Sequence, residues 1–224
     1  YAAALAAGGA RGVDPACVGS GAVALDFRQV LRSNLGGGGP DQGEPLIDYG
    51  HVAEVGGRCV KLQVQVDSGS HYRAADPGAN GAAEMDPHLA TVNLAGQSRT
   101  DLTARFLDCD SLALVRVPKL NITFYAVTAP ATRQITVRGY WQYYMTDSAL
   151  FRKSYTDYGT TFVDSVPCRS PVGSPNCALT FYFQDANQVS MTLETPGPSQ
   201  PFLFSASTCG AADGCAAVAC PHGK

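Results

Sequence analysis

Cys59-Val60-Lys61-Leu62-Gln63-Val64-Gln65-Val66 reads as a β-strand from its alternation alone. Val60, Leu62, Val64 and Val66 fall on one face and Lys61, Gln63 and Gln65 on the other, the period of two that a half-buried strand requires. Further strand signals follow at short spacing on both sides: Ala22 to Phe27, Ala90 to Leu94, Leu102 to Leu107, Leu120 to Val127, Gln134 to Tyr140, Ala178 to Gln184, Val189 to Glu194 and Phe202 to Ala206. Turns rich in Gly, Pro, Asn and Asp separate most of them, such as Asp76-Pro77-Gly78 and Thr195-Pro196-Gly197-Pro198. Many short strands punctuated in this way predict an all-β chain, an antiparallel two-sheet β-sandwich of jelly-roll or Ig-like type. No segment offers a long amphipathic helix, and no solenoid-length repeat is visible.

A chain of 224 residues is long enough to bury a real core as one large domain with extensions. The expected divisions are an arm over residues 1–16, the sandwich over 17–207 and a Cys-rich tail over 208–224. The arm is small and apolar, and Gly8-Gly9 and Arg11-Gly12 break any helix after about two turns, a length that is marginal in isolation. It must dock on something, so Tyr1 and Leu5 are the candidate assembly contacts. A start at Tyr1 fits a mature product whose export signal has been removed.

Eight cysteines, Cys17, Cys59, Cys109, Cys168, Cys177, Cys209, Cys215 and Cys220, set in β-patterned sequence without a membrane-spanning run, predict disulfides and an extracellular or cell-surface location. Cys168 and Cys177 enclose a Pro/Gly/Ser loop between strand signals. Closing a loop of about ten residues is worth roughly 2.7 kcal/mol in the chain-entropy account, which makes this the first pairing to expect. Cys59 with Cys109 is the second, since each ends a strand signal. The remaining pairings stay open. The tail fits a disulfide-tied cap reaching Cys17 better than a zinc site built from Cys209, Cys215, Cys220 and His222, because it lacks a Cys-x-x-Cys knuckle.

Catalytic signals are sparse. His51, His71, His88 and His222 form no His-Glu-x-x-His motif, no Gly-x-Ser-x-Gly elbow is present, and the carboxylates are scattered. The expectation is therefore no enzyme and no cofactor. A bound calcium ion would draw on Asp108-Cys109-Asp110 and Asp41. Leu35-Gly36-Gly37-Gly38-Gly39-Pro40-Asp41 carries no Lys-Ser/Thr, which removes a phosphate loop and leaves a turn suited to close backbone approach. Net charge is −3 with no basic stripe, so nucleic acid is not an expected partner, and no segment is suited to membrane insertion. Low charged content (16%) and abundant small residues suit packing against copies of the same chain. Tyr140-Trp141-Gln142-Tyr143-Tyr144 offers Tyr140, Trp141, Tyr143 and Tyr144 as sugar contacts. Asn121-Ile122-Thr123 is the lone N-glycosylation sequon, inside a predicted strand.

Several of these segments together resemble a family of uncharacterised exported proteins of algae and other protists. They are Ala24-Leu25-Asp26-Phe27, then Asn34 through Gly36-Gly37-Gly38-Gly39-Pro40 to Asp41, then Ile47-Asp48-Tyr49-Gly50-His51-Val52. Val60 to Val66, Asn121 to Tyr125, Ile135 to Tyr140, Leu179 to Phe183 and Phe202 to Ser205 extend the resemblance across most of residues 22–207. It implies a cell-surface β-sandwich, and some similar proteins are protomers of extracellular helical fibrils. Phe124-Tyr125-Ala126-Val127-Thr128 lacks the acidic residues that the pattern often places there, which argues against calcium at that point. The expected function is a disulfide-stabilised fibril protomer that assembles head-to-tail through its terminal segments. The alternative is a secreted carbohydrate-binding or adhesion module.

Overall fold

The computed structural model describes residues 22–84, 86–125, 132–146, 150–156, 159–164, 168 and 175–209. Tyr1, Leu5, Cys17, Cys215, Cys220 and His222 lie outside the described residues, as do positions 126–127 of the predicted strand and most of the loop between Cys168 and Cys177.

Among the described residues fifteen strands build two antiparallel sheets. Sheet A contains β1 (Ala22–Ala24), β5 (Gly81–Ala82), β6 (Ala90–Leu94), β8 (Val117–Tyr125), β10 (Gln142–Tyr144), β13 (Ala178–Ala186) and β15 (Gln200–Cys209). Its order is β10-β13-β8-β15-β6-β5, with β1 also paired to β15. Sheet B contains β2 (Val30–Ser33), β3 (Leu46–Val55), β4 (Arg58–Val66), β7 (Ser98–Asp108), β9 (Arg133–Arg138), β11 (Phe151–Thr156), β12 (Gly159–Asp164) and β14 (Gln188–Thr195). Its order is β11-β12-β9-β14-β7-β4-β3-β2. Among the described residues the only helical pieces are short 3-10 turns.

The alternation of β4 acts as predicted. Val60, Leu62 and Val64 are buried and Val66 packs against the core. The same parity sends Ile122 and Phe124 of β8, Leu179, Phe181 and Phe183 of β13, and Met191 and Leu193 of β14 into the layer between the sheets. Aromatic rings fill its centre: Phe27 meets Tyr49 at 5.1 Å and Phe204 at 5.7 Å, edge to face. Offset and edge-to-face contacts of this kind add to the area that the rings bury.

The segment read as one strand from Ala22 to Phe27 is instead a crossing between sheets. β1 ends at Ala24, the Leu25 amide donates to Ala206 O in sheet A, and the Asp26 amide donates to Val52 O in sheet B. Successive amides thus bind opposite layers, and Phe27, fully buried, plugs the gap between them. A second crossing follows β9, which stops at Arg138 rather than Tyr140. Gly139 takes φ +74°, where an L side chain is disfavoured, and the chain turns into β10 of the other sheet.

The glycine-rich turn is also a site of close approach. Asn34 Oδ1 accepts from the Gly39 amide at 3.1 Å, and its Nδ2 donates to Gly43 O at 2.9 Å. Asp41 Oδ2 accepts from the Ser33 amide at 2.6 Å. A Cβ on Gly39 would stand 2.0 Å from Ser33 O.

Among the described residues two disulfides brace the sandwich. Cys59–Cys109 ties the start of β4 to the end of its neighbour β7, with Cα atoms 5.4 Å apart. Cys168–Cys177 spans 6.0 Å and joins the region after β12 of sheet B to the turn that opens β13 of sheet A. A buried arginine also links the two sheets. Arg133 Nε donates to Asp164 Oδ2 at 2.7 Å within sheet B, while its Nη1 donates to Pro201 O of sheet A at 2.6 Å.

Candidate functional site

The outer face of sheet A is assembled from the residues that alternate with its core. In β8, Asn121, Thr123 and Tyr125 point away from the side of Ile122 and Phe124; in β13, Thr180 and Tyr182 oppose Leu179 and Phe181. Register arranges them in rows. Gln142, Tyr182, Asn121 and Ser207 lie side by side across four strands, and Tyr144, Thr180, Thr123 and Ser205 form the next row. Tyr125 starts a third, next to Leu203 and Thr91. None of these residues is charged.

Hydrogen bonds hold the array in place. The Thr123 and Thr180 hydroxyls meet at 2.9 Å, Tyr125 OH and Ser205 Oγ at 2.9 Å, and Asn121 Nδ2 donates to Ser207 Oγ at 3.3 Å. Tyr144 and Tyr182 stand close enough to sense each other. The Tyr182 phenol is pushed up to about 12, first by burial and then by the charge that Tyr144 would carry. The Tyr182 phenol therefore remains a neutral donor and acceptor through the physiological range.

The aromatic cluster quoted from the sequence is divided among three environments. Tyr140 and Tyr143 are half-buried against the core, Tyr140 5.1 Å from Phe181 and Tyr143 4.9 Å from Phe162. Trp141 is 56% exposed at the start of edge strand β10, its amide bound to Tyr182 O at 2.8 Å. Tyr144 belongs to the outer face. While Trp141 is exposed just before β10, the outer face thus combines Tyr144 with Tyr182 and Tyr125, two tyrosines distant from the cluster in sequence. Their signal lay in strand parity: in Asn121-Ile-Thr-Phe-Tyr125 and Leu179-Thr-Phe-Tyr-Phe183, the polar and tyrosine positions share one face.

A second aromatic group lies at the rim between the edge strands β10 and β11. Lys153 Nζ donates to Tyr143 OH at 3.1 Å and sits 4.8 Å and 4.7 Å from the Tyr143 and Tyr155 ring centres. Hydrogen bonds to the Tyr155 and Tyr143 hydroxyls raise its pKa above the ordinary lysine value. The outer face of sheet B is different in kind, being closed by its own charges: Lys61 pairs with Asp48 at 2.8 Å, and Arg138 with Asp101 at 3.3 Å.

Two of the carboxylates expected at a calcium site, Asp41 and Asp108, are engaged in turns. Asp41 clasps the glycine-rich loop, and Asp108 accepts from the Ser111 amide at 2.9 Å, which holds its carboxyl below the usual range. Among the described residues no group of three or more His, Cys, Asp or Glu side chains is placed to hold a metal ion. His51 and His71 are exposed, and the His88 ring binds Leu25 O at 2.9 Å. Among the same residues no helix is long and apolar enough to cross a membrane.

No protein-family profile matches the chain, and no curated protein matches it. Among solved structures it is similar to the N-terminal domain of the Streptococcus gordonii adhesin Sgo0707, with TM-score 0.53 and 9% identity over 73% of this chain. It spans 47% of that chain, and at this identity the likeness concerns the fold. A weaker match, TM-score 0.29 and 9% identity over 65% of this chain and 86% of the other, is to TmCBM61 in complex with beta-1,4-galactotriose. That score is too low to bear on fold or function.

Proposed function

We propose that this chain is an extracellular, non-enzymatic recognition module that binds pyranose sugars on the outer face of sheet A. The observation that carries the reading is the uncharged lattice of Tyr144, Tyr182 and Tyr125 among threonine, serine and amide side chains, with Trp141 exposed just before β10. Aromatic faces accept the apolar side of a sugar ring, while fixed hydroxyl and amide groups select its hydroxyl pattern. Neither requires a titratable group or a metal. The fold likeness to an adhesin domain is compatible with such a role, and the two disulfides suit an oxidising location.

A glycan array followed by calorimetry tests the reading. Trp141→Ala should weaken the best ligand by about tenfold, the equivalent of roughly 1.4 kcal/mol for one aromatic contact, and leave the melting temperature nearly unchanged. Tyr182→Ala should act in the same direction. A folded protein that retains no sugar, or one indifferent to both substitutions, defeats the proposal.

The fibril protomer is a second reading, favoured by apolar side chains left open on the strands nearest the arm in sequence. Val23 of β1 is 44% exposed and Leu31 of edge strand β2 is 55% exposed. In this reading residues 1–16 cover such positions on a neighbouring copy, in a head-to-tail contact that propagates openly. Negative-stain microscopy before and after removal of residues 1–16 decides it, because filaments of undiminished length would exclude the arm.

A further inference from the structure

We propose that Asn121 carries an N-linked glycan that packs on Tyr182 and masks the sugar-binding face. The inference rests on the sugar-binding reading for its consequence, though not for the modification itself. Asn121 occupies β8, with β13 and β15 on its two sides; register sets it directly opposite Tyr182 on one and Ser207 on the other. Its amide nitrogen, the atom that glycosylation uses, lies on the outer face with one long hydrogen bond of 3.3 Å to Ser207. Thr123, the hydroxyl residue of the sequon, shares that face.

Order of synthesis makes the site accessible. Both strands that enclose β8 come later in the chain, and the nearer one, β13, begins only at Ala178. At about 5–20 residues per second, the sequon is free of its sheet partners for several seconds after it emerges. Once the sheet closes, the backbone around Asn121 is bonded on both sides, so modification precedes folding. Directly opposed side chains in an antiparallel pair stand about 4.5–5.5 Å apart at Cβ. The first pyranose on Asn121 therefore meets the Tyr182 ring, the same ring that an external sugar would use. A glycan that covers the ring nine-tenths of the time lowers the apparent affinity for outside ligand by about tenfold.

The test compares the full chain made in a eukaryotic secretory host with the same chain from a bacterial periplasm, where disulfides form without this glycan. Intact mass reads occupancy. An array of gluco-, manno- and galacto-configured oligosaccharides reads binding. The expected result is an occupied Asn121 in the first preparation and binding weaker by about tenfold than in the second. The same chain from the eukaryotic host treated with tunicamycin, which blocks N-glycosylation and leaves every side chain of the face unchanged, should bind as the bacterial product does. In the glycosylated protein, Tyr182→Ala should speed enzymatic release of the glycan several-fold. An unmodified Asn121 overturns the inference and leaves the sugar-binding reading intact. Equal binding by occupied and unoccupied chains overturns the masking. Failure of the unmodified chain to bind any array sugar overturns the underlying reading, whatever the mass shows.

Discussion

Tyr49 carries a hydroxyl into the core, where among the described residues it meets no hydrogen-bond partner. Burial raises its pKa well above the ordinary phenol value of 10.0, and burial also pushes Tyr72 up to about 12. A group whose pKa is raised by folding contributes its full stability below its unfolded value, and that contribution declines as pH rises beyond it. Urea melts should therefore show stability falling above about pH 10, when the unfolded chain ionises tyrosines that the folded chain keeps neutral. Tyr49→Phe should be neutral or stabilising by up to about 1 kcal/mol at pH 7, since it removes an orphaned polar atom from an apolar site. It should also flatten the alkaline decline. Arg133 is the opposite case, a buried charge whose partners are all supplied. It is 2% exposed, donates to Asp164 and to Pro201 O, and lies 5.6 Å from the Phe202 ring. Arg133→Ala should cost about 3–5 kcal/mol because Asp164 is left charged and buried, and the double change with Asp164→Ala should cost less than the sum. A denaturant-melt cycle measures both.

At the level of elements, the glycine-rich turn and the strands show how unevenly sequence exposes structure. Gly39→Ala forces a Cβ against the Ser33 backbone and should destabilise by about 1–3 kcal/mol. Gly38→Ala, with open space and an ordinary φ of −109°, should change little, which makes it the control in a paired thermal melt. Strands that bury one face were legible: β4, β6, β8, β13 and β14 lie where apolar residues alternate with polar ones. β3 was not, because Leu46, Ile47, Asp48, Tyr49 and Gly50 are all buried and its register shifts between Tyr49 and Ala53. Period-two reasoning has nothing to read in such a run. Phe151-Arg-Lys-Ser-Tyr-Thr156 and Gly159-Thr-Thr-Phe-Val-Asp164 also escaped, since both are largely polar and Asp164 is buried only through its pairing with Arg133, distant in sequence. The candidate face was half legible for the same reason. Tyr144 lies in the sequence cluster, whereas Tyr125 and Tyr182 join it only through the pairing of β8 with β13 and of β13 with β10.

For the whole molecule, the two disulfides act on different parts of the folding equilibrium. Cys59–Cys109 closes a loop with a sequence separation of 50, worth about 4 kcal/mol in the chain-entropy account, against roughly 2.7 for the shorter Cys168–Cys177 loop. Accessibility runs the other way from what a uniform scaffold would give. Cys59 and Cys109 are half-exposed at the end of sheet B, whereas Cys168 and Cys177 are each 3% exposed and belong to the hydrophobic core. Thiolate attack requires access to sulfur, so mild reductant should open Cys59–Cys109 in the native protein and reach Cys168–Cys177 only through unfolding. The first event removes the larger entropic constraint and should lower the melting temperature without abolishing the native fold. The second should coincide with loss of near-ultraviolet circular dichroism. Timed alkylation and mass mapping under graded dithiothreitol gives the order. Simultaneous release of both bridges at low reductant would mean that the core around Cys168 and Cys177 opens as readily as the sheet edge, and the sandwich would then owe little to its central packing.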